Sequence, residues 1–135
     1  MREHYQVTDE WLAGFFDGEG CITVLRSRGS PPIPQVDLTQ KDEAVLRAVR
    51  ERFGGLLREH RGGTWHLKWY GQNVVGLLEA LLPHLLLKRQ RAEWALEMAR
   101  TVRGQGNRLT VREWASRMEL ADRIQEVNRG ARKPN

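Results

Sequence analysis

The sequence predicts an α+β domain. Its expected architecture is an antiparallel four-stranded sheet with helices on one face, in the order αββαββα, followed by extra C-terminal helices. Two observations predict this. Strict apolar–polar alternation appears in "PQVDLTQ" (residues 34–40) and in "TWHLKWY" (residues 64–70), and each stretch is the second half of a pair of short β-prone runs. Before, between and after those pairs, apolar residues recur at helical spacing. With 135 residues, the chain is long enough for a single domain, residues 1–135, with a real core.

Taken in order, Thr8 is a good N-cap, with Asp9 and Glu10 in the first turn where the helix dipole favours acids. Val7 and Leu12 have the spacing of a hydrophobic staple. This helix is expected to reach about Asp17 and end near Gly18. "CITVLRS" follows as a strand with Ile22 and Val24 on one face and Cys21, Thr23 and Leu25 on the other. "RGSPPIP" reads as a turn. In the next strand Val36 and Leu38 point one way, and Gln35, Asp37 and Thr39 the other.

Asp42 can cap a second helix carrying Val45, Leu46, Val49 and Phe53, stopped by Gly54 and Gly55. "LLREH" and "TWHLKWY" make a second hairpin around Arg61, Gly62 and Gly63. Asn73 is placed to cap a third helix through Leu82, ended by Pro83. A fourth helix is expected from about Lys88 to Val102, with Trp94, Ala95, Met98 and Val102 on its apolar side. "RGQGNRL" is a loop, "TVRE" (residues 110–113) matches a capping box that opens a last helix to about Asn128, and "GARKPN" is a loose tail. The five tryptophans, Trp11, Trp65, Trp69, Trp94 and Trp114, are expected in the core.

Charge narrows the partner. The formal net charge is +5 and the pI about 10.0, with twelve Lys and Arg against six Asp and Glu in residues 88–135. Nucleic acid and an acidic membrane surface both fit that balance. The greasiest run, residues 74–87, is broken by Glu79, Pro83 and His84 and is too short to span a bilayer. Cys21 is the only cysteine, which excludes an intrachain disulfide and a cysteine zinc cluster. His4, His60, His66 and His84 lack metal-ligand spacing. The reading is a protein of a reducing interior, cytoplasmic or organellar, that is not secreted and has neither a membrane partner nor a small-molecule cofactor.

One face of the predicted sheet carries Gln35, Asp37, Thr39, Arg58, His60, His66 and Lys68. A solvated sheet face has such a composition, and so does a ribbon that reads base edges in the DNA major groove. Long hydrogen-bonding side chains, few acids and a basic protein favour the second.

Against this organisation, "LAGFFDGEG" (residues 12–20) resembles the signature of the LAGLIDADG homing endonucleases, identical at five of nine positions. "LTQKD" and "PHLLLKRQRA" are similar to further stretches of the homodimeric, single-motif members, and the resemblance runs over roughly residues 8–103. It implies the LAGLIDADG fold and a site-specific double-strand DNA endonuclease. Such an enzyme cuts a long, near-palindromic target and leaves short 3′ overhangs. The alternatives within the family are a DNA-binding regulator without cleavage and an RNA maturase.

The resemblance also implies roles. Glu19 is the metal ligand, with the Gly18 carbonyl beside it, and Mg²⁺ is the cofactor; Asp17 is mainly structural. Gln40 orients a water, and Lys88 stabilises developing charge or helps activate that water, so Glu19, Gln40 and Lys88 form the catalytic set. A basic residue of several relatives has Ala44 in its place. Small residues inside the first helix allow close packing, against the chain's own core or against a partner. The resemblance favours the partner, with Leu12, Ala13, Gly14 and Phe16 at a homodimer interface.

Overall fold

The computed structural model describes residues 5–102 and 109–132. Helix α1 (Asp9–Glu19) leads into strands β1 (Gly20–Ser27) and β2 (Ser30–Gln40). Helix α2 (Glu43–Phe53) precedes β3 (Leu56–His60) and β4 (Thr64–Tyr70), and helices α3 (Val74–Leu81), α4 (Arg89–Ala99) and α5 (Val111–Arg132) follow. The sheet is antiparallel throughout in the order β1-β2-β4-β3. The predicted α+β architecture is therefore the observed one, with α4 and α5 as the added C-terminal helices.

Local chemistry explains most boundaries. Thr8 Oγ1 accepts the Trp11 amide at 3.1 Å, and Asp42 Oδ1 accepts those of Ala44 and Val45 at 2.9 and 3.4 Å. The residue 110–113 capping box forms reciprocally, with Thr110 N to Glu113 Oε1 and Glu113 N to Thr110 Oγ1 both 3.0 Å. Helix α2 stops at Gly54, which takes a φ of 70° that a side chain would resist. The Phe53 carbonyl left over there accepts the Trp69 indole N–H at 3.1 Å.

Several boundaries differ from expectation. Helix α1 continues two residues past Asp17 to Glu19, because Gly20 closes it with an N–H bond back to the Phe16 carbonyl. Much of the expected "RGSPPIP" turn is strand: only Arg28 and Gly29 turn, and β2 begins at Ser30. The prolines are tolerated because β4 pairs with β2 only from Gln35 onward, so residues 30–34 bond to β1 alone and have one unpaired edge. Pro32 and Pro34 extend the buried side of Val36 and Leu38.

Asn73 makes no side-chain cap; it ends a short 3-10 turn that runs into α3. Helix α3 stops one residue early, where Pro83 draws the chain into another 3-10 turn. Helix α4 ends at Ala99 rather than Val102, and α5 runs past Asn128 to Arg132, taking up the first residues of the expected tail. The expected loop at residues 103–109 lies mostly outside the described residues, as do His4 and the end of the tail.

The core lies between the sheet and the helices: Leu12, Phe16, Ile22, Val36, Leu38, Leu46, Leu67, Trp69 and Leu78 are all buried in it. Trp65 and Trp94 pack at its margin, whereas Trp11 and Trp114 are exposed, contrary to the expectation of five core tryptophans. Arg117, only 4% exposed, joins α5 to its neighbours by donating to Thr101 Oγ1 and O at 2.7 Å each and to Pro32 O at 3.2 Å. That last bond uses a carbonyl of the half-paired end of β2.

The junction between α1 and β1 is tight on one side only. A Cβ at Gly20 would come within 2.3 Å of the Phe16 ring, whereas one at Gly18 would meet nothing within 4 Å. Gly20→Ala is expected to lower unfolding free energy by about 1–3 kcal/mol. Gly18→Ala is expected to leave it unchanged or raise it by up to about 1 kcal/mol. Urea denaturation of both variants tests the contrast, and equal midpoints would contradict it.

Candidate functional site

The end of α1 and the start of α4 hold each other. Asp17 Oδ2 accepts the Leu86 amide at 2.7 Å and Asp17 Oδ1 the Lys88 amide at 3.0 Å, so an acid neutralises main-chain donors at the N-terminal end of α4. In return Lys88 Nζ donates to the Asp17 carbonyl at 2.5 Å, placing a cation where α1 ends in unpaired carbonyls. Asp17 is thus structural, as the resemblance implies.

This clamp sets the position of the Lys88 head group. Burial and the neighbouring Arg91 guanidinium push the Lys88 ammonium below the ordinary lysine range, while Asp17, Cys21 and Glu19 pull the other way. Arg91 is held by Asn128 Oδ1 at 2.9 Å, and Asn128 Nδ2 donates to Ile22 O at 2.8 Å, so α5 fixes the second cation from behind. Arg91 escaped the sequence reading. Its position one helical turn after Lys88 was the available signal.

Glu19, the last residue of α1, is exposed and close enough to Lys88 to act on its charge. Among the described residues no hydrogen bond or ion pair occupies its carboxylate. A free carboxylate beside carbonyls of a helix C-terminal turn, Gly18 among them, is a hard-oxygen donor set suited to Mg²⁺. It is not a full shell: among the described residues no three His, Cys, Asp or Glu gather where a metal could sit. Gln40 ends β2 at the same end of the sheet, two residues past Leu38, the partner of Gly20. Its side-chain oxygen accepts the Lys41 amide at 2.9 Å, and it borders a hollow lined by Tyr5, Val7, Trp11 and Phe15.

The open sheet face carries the residues expected there. Cross-strand pairing sets Asp37 opposite Lys68, Thr39 opposite His66 and Arg58 opposite His66. Gln35 Nε2 donates to both Asp37 carboxylate oxygens at 3.2 Å, and Thr39 Oγ1 lies 3.3 Å from His66 Nδ1. Arg58, His60, His66 and Lys68 line one shallow hollow together with Leu56 and Tyr70, two members that alternation alone did not mark as functional.

The expected partner-facing residues need correction. Leu12, Ala13 and Phe16 are fully buried in the chain's own core and offer nothing to a partner. Of that set only Gly14 is on the outer side of α1, in a stripe with Trp11, Phe15 and Gly18 at helical spacing. Trp11 and Phe15 stack with ring centroids 5.0 Å apart, and no atom lies within 4 Å of a Cβ built on Gly14 or Gly18. At the end of this stripe, Leu86 and Leu87 are 85% and 75% exposed.

Residues 6–79 match the family model described as a LAGLIDADG-like domain. The chain belongs to that family. Among curated relatives, the intron-encoded RNA maturase bI4 of Saccharomyces cerevisiae is 30% identical over 87 residues, 59% of this chain and 13% of the relative. The probable intron-encoded endonuclease aI2 of Debaryomyces hansenii is 26% identical over 73 residues, 54% of this chain and 11% of the relative. The chain therefore spans only a small part of these curated proteins. Among solved structures, the homing endonuclease I-CvuI in complex with its target, in the presence of calcium, superposes with a TM-score of 0.71 at 26% identity. That match covers 88% of this chain and 80% of I-CvuI. The homing endonuclease I-TnaI gives 0.70 at 24%, covering 95% and 100%, a likeness of fold. No helix among the described residues is long and apolar enough to cross a membrane.

Asp17→Ala removes two charge-assisted bonds and is expected to destabilise the protein by about 2–3 kcal/mol. Amide hydrogen exchange should accelerate at Leu86 and Lys88 ahead of the rest of α4. Unaltered exchange at both amides is the result that contradicts the clamp.

Proposed function

We propose that this protein is a homodimeric, site-specific double-strand DNA endonuclease. The observation that carries this reading is the α1–α4 junction: an unengaged Glu19 carboxylate beside a Lys88 ammonium whose position Asp17 fixes. Each copy supplies one such half-site. Two copies joined along the outer stripe of α1 would bring two Glu19 carboxylates together, and their mutual repulsion would favour binding of divalent cations there. Glu19 and the Gly18 carbonyl would hold Mg²⁺, which would supply an activated water and neutralise charge on the phosphate. Lys88 holds positive charge where negative charge develops, and Gln40, after releasing the Lys41 amide, has a carbonyl oxygen with which to orient the water.

The open face gives each copy its half of the target. A twisted antiparallel ribbon fits the major groove, and Gln35, Asp37, Thr39, Arg58, His60, His66 and Lys68 offer donors and acceptors to base edges. The excess of Lys and Arg in residues 88–135 supplies phosphate contacts. Two half-sites cover roughly 20 bp. The apolar stripe Trp11, Gly14, Phe15 and Gly18, continued by Leu86 and Leu87, is the surface a second copy covers.

A second reading has support in the 30% identity to the maturase bI4, over 87 residues: the same face binds folded intron RNA. The two separate in one competition experiment. Duplex DNA outcompetes an intron RNA under the endonuclease reading, and the reverse order favours the maturase.

Two variants test the site and the assembly. Glu19→Gln is expected to abolish cutting of a randomised duplex library in Mg²⁺ while retaining duplex binding; a wild-type rate refutes the Glu19 assignment. Gly14→Leu leaves the single subunit as stable or up to about 1 kcal/mol more so, since its Cβ points into open space. It blocks close approach of a second helix, so sedimentation equilibrium should change from dimer to monomer. A wild-type monomer at micromolar concentration would sink the dimer.

A further inference from the structure

His60 and His66 form a pair whose geometry goes beyond a row of independent base-reading side chains. They occupy diagonal positions on the β3–β4 ribbon, with ring centroids 3.8 Å apart and planes tilted by 41°. Arg58 faces His66 across the ribbon, Lys68 is the next residue on the same face of β4, and Arg61 begins the turn after His60. From β2, Thr39 bonds His66 Nδ1, and among the described residues Asp37 is the acid that acts on His66. Glu59 and Trp65 alternate to the opposite face.

We propose that His60 and His66 act as one proton-linked base-reading unit, which takes up a proton as the sheet face docks on duplex DNA and reads guanine in that state. The inference rests on the DNA-binding reading above.

In the free protein a proton on His66 is disfavoured. Two imidazoles in ring contact repel when both are charged, so charge on one ring opposes charge on the other. Burial, His60 and Lys68 together hold His66 below the ordinary histidine range, against the weaker pull of Asp37. Docking reverses the balance, because the groove adds phosphates and base acceptors around the same rings.

Protonation also changes what the pair can read. A neutral imidazole has one donor and one acceptor; an imidazolium has two donors. With Nδ1 engaged by Thr39, protonation fixes the remaining His66 nitrogen, Nε2, as a donor. Guanine presents two acceptors, N7 and O6, in the major groove, whereas adenine pairs its N7 acceptor with an N6 donor. A protonated pair therefore favours guanine. Pairing also locates the read position: the row of Thr39 and His66 follows the row of Gly20 and Leu38, so His66 is level with Glu19. Two strand spacings, roughly 10 Å, separate them laterally. The read base pair is accordingly among those nearest the cut.

The sign of the linkage follows. The free-state affinity of His66 for a proton is low and under the proposal its bound-state affinity is higher, so binding takes up a proton between the two values. Within that window DNA affinity rises as pH falls, by up to about tenfold per pH unit for each proton taken up, and so by up to about a hundredfold for a dimer that takes one proton in each subunit. The test uses the full chain and a randomised duplex DNA pool without divalent metal. Binding and selected sequences are compared at about pH 5.5 and about pH 8. Calorimetry in buffers of different ionisation enthalpy counts the protons taken up.

Wild-type protein is expected to take up protons and to select guanine at one base pair per half-site near the centre, more strongly at the lower pH. His60→Gln and His66→Gln should each lose the uptake and flatten the preference at that position. Duplex binding without proton uptake, or uptake that both variants retain, overturns the pair assignment and leaves the endonuclease reading standing. No duplex binding at either pH overturns both. The wild-type measurements do not depend on how well a variant folds.

Discussion

The reciprocal hold between Asp17 and residues 86–88 is the constraint on which the rest of the candidate site depends. A carboxylate at the end of α1 satisfies donors at the start of α4, and the lysine that begins α4 satisfies a carbonyl at the end of α1. Each helix end thus supplies the charge that the other helix's dipole favours. Without this exchange, Lys88 is a long, flexible cation at a helix start, one among 22 Lys and Arg in the chain. With it, the ammonium is fixed near Glu19, and residues 71 positions apart in sequence belong to one small constellation.

The nonapeptide that marks the family then divides by function along its length. Leu12, Ala13 and Phe16 build the core, Gly14 and Gly18 keep the outside of the helix bare, and Asp17 anchors α4. Glu19 is left free, and Gly20 accommodates the Phe16 ring. A helical turn separates most neighbours of like role, which is why a short run can face the core, the open outer side of α1 and the start of α4 at once.

Most of the fold was legible in the sequence because its signals are local. Alternation in residues 35–39 and 64–70, the Asp42 and residue 110–113 caps and the Gly54 stop each act within a few residues. What escaped depends on distant partners. The strand character of residues 30–34 is set by which neighbour pairs there, and single-sequence reading of Pro-rich chain favours a turn. The inward direction of Ala13 and Phe16 depends on the rotation of α1 over the sheet. In the site, Glu19, Lys88 and Asp17 were legible through the family resemblance alone; no composition or spacing joins residue 17 to residue 88. Arg91 and the His60–His66 contact required coordinates, since neither follows from a motif.

One consequence follows from the presence of one Glu19 in each copy. Under the proposed reading a lone copy is half a catalyst, and scission of both strands waits for an encounter between two copies. In dilute conditions, output then grows with the square of abundance, and a trickle of expression leaves a genome uncut. A long, nearly symmetric target multiplies this restraint, because each half must be recognised by its own copy. Toxicity is thereby limited by stoichiometry, without any inhibitor.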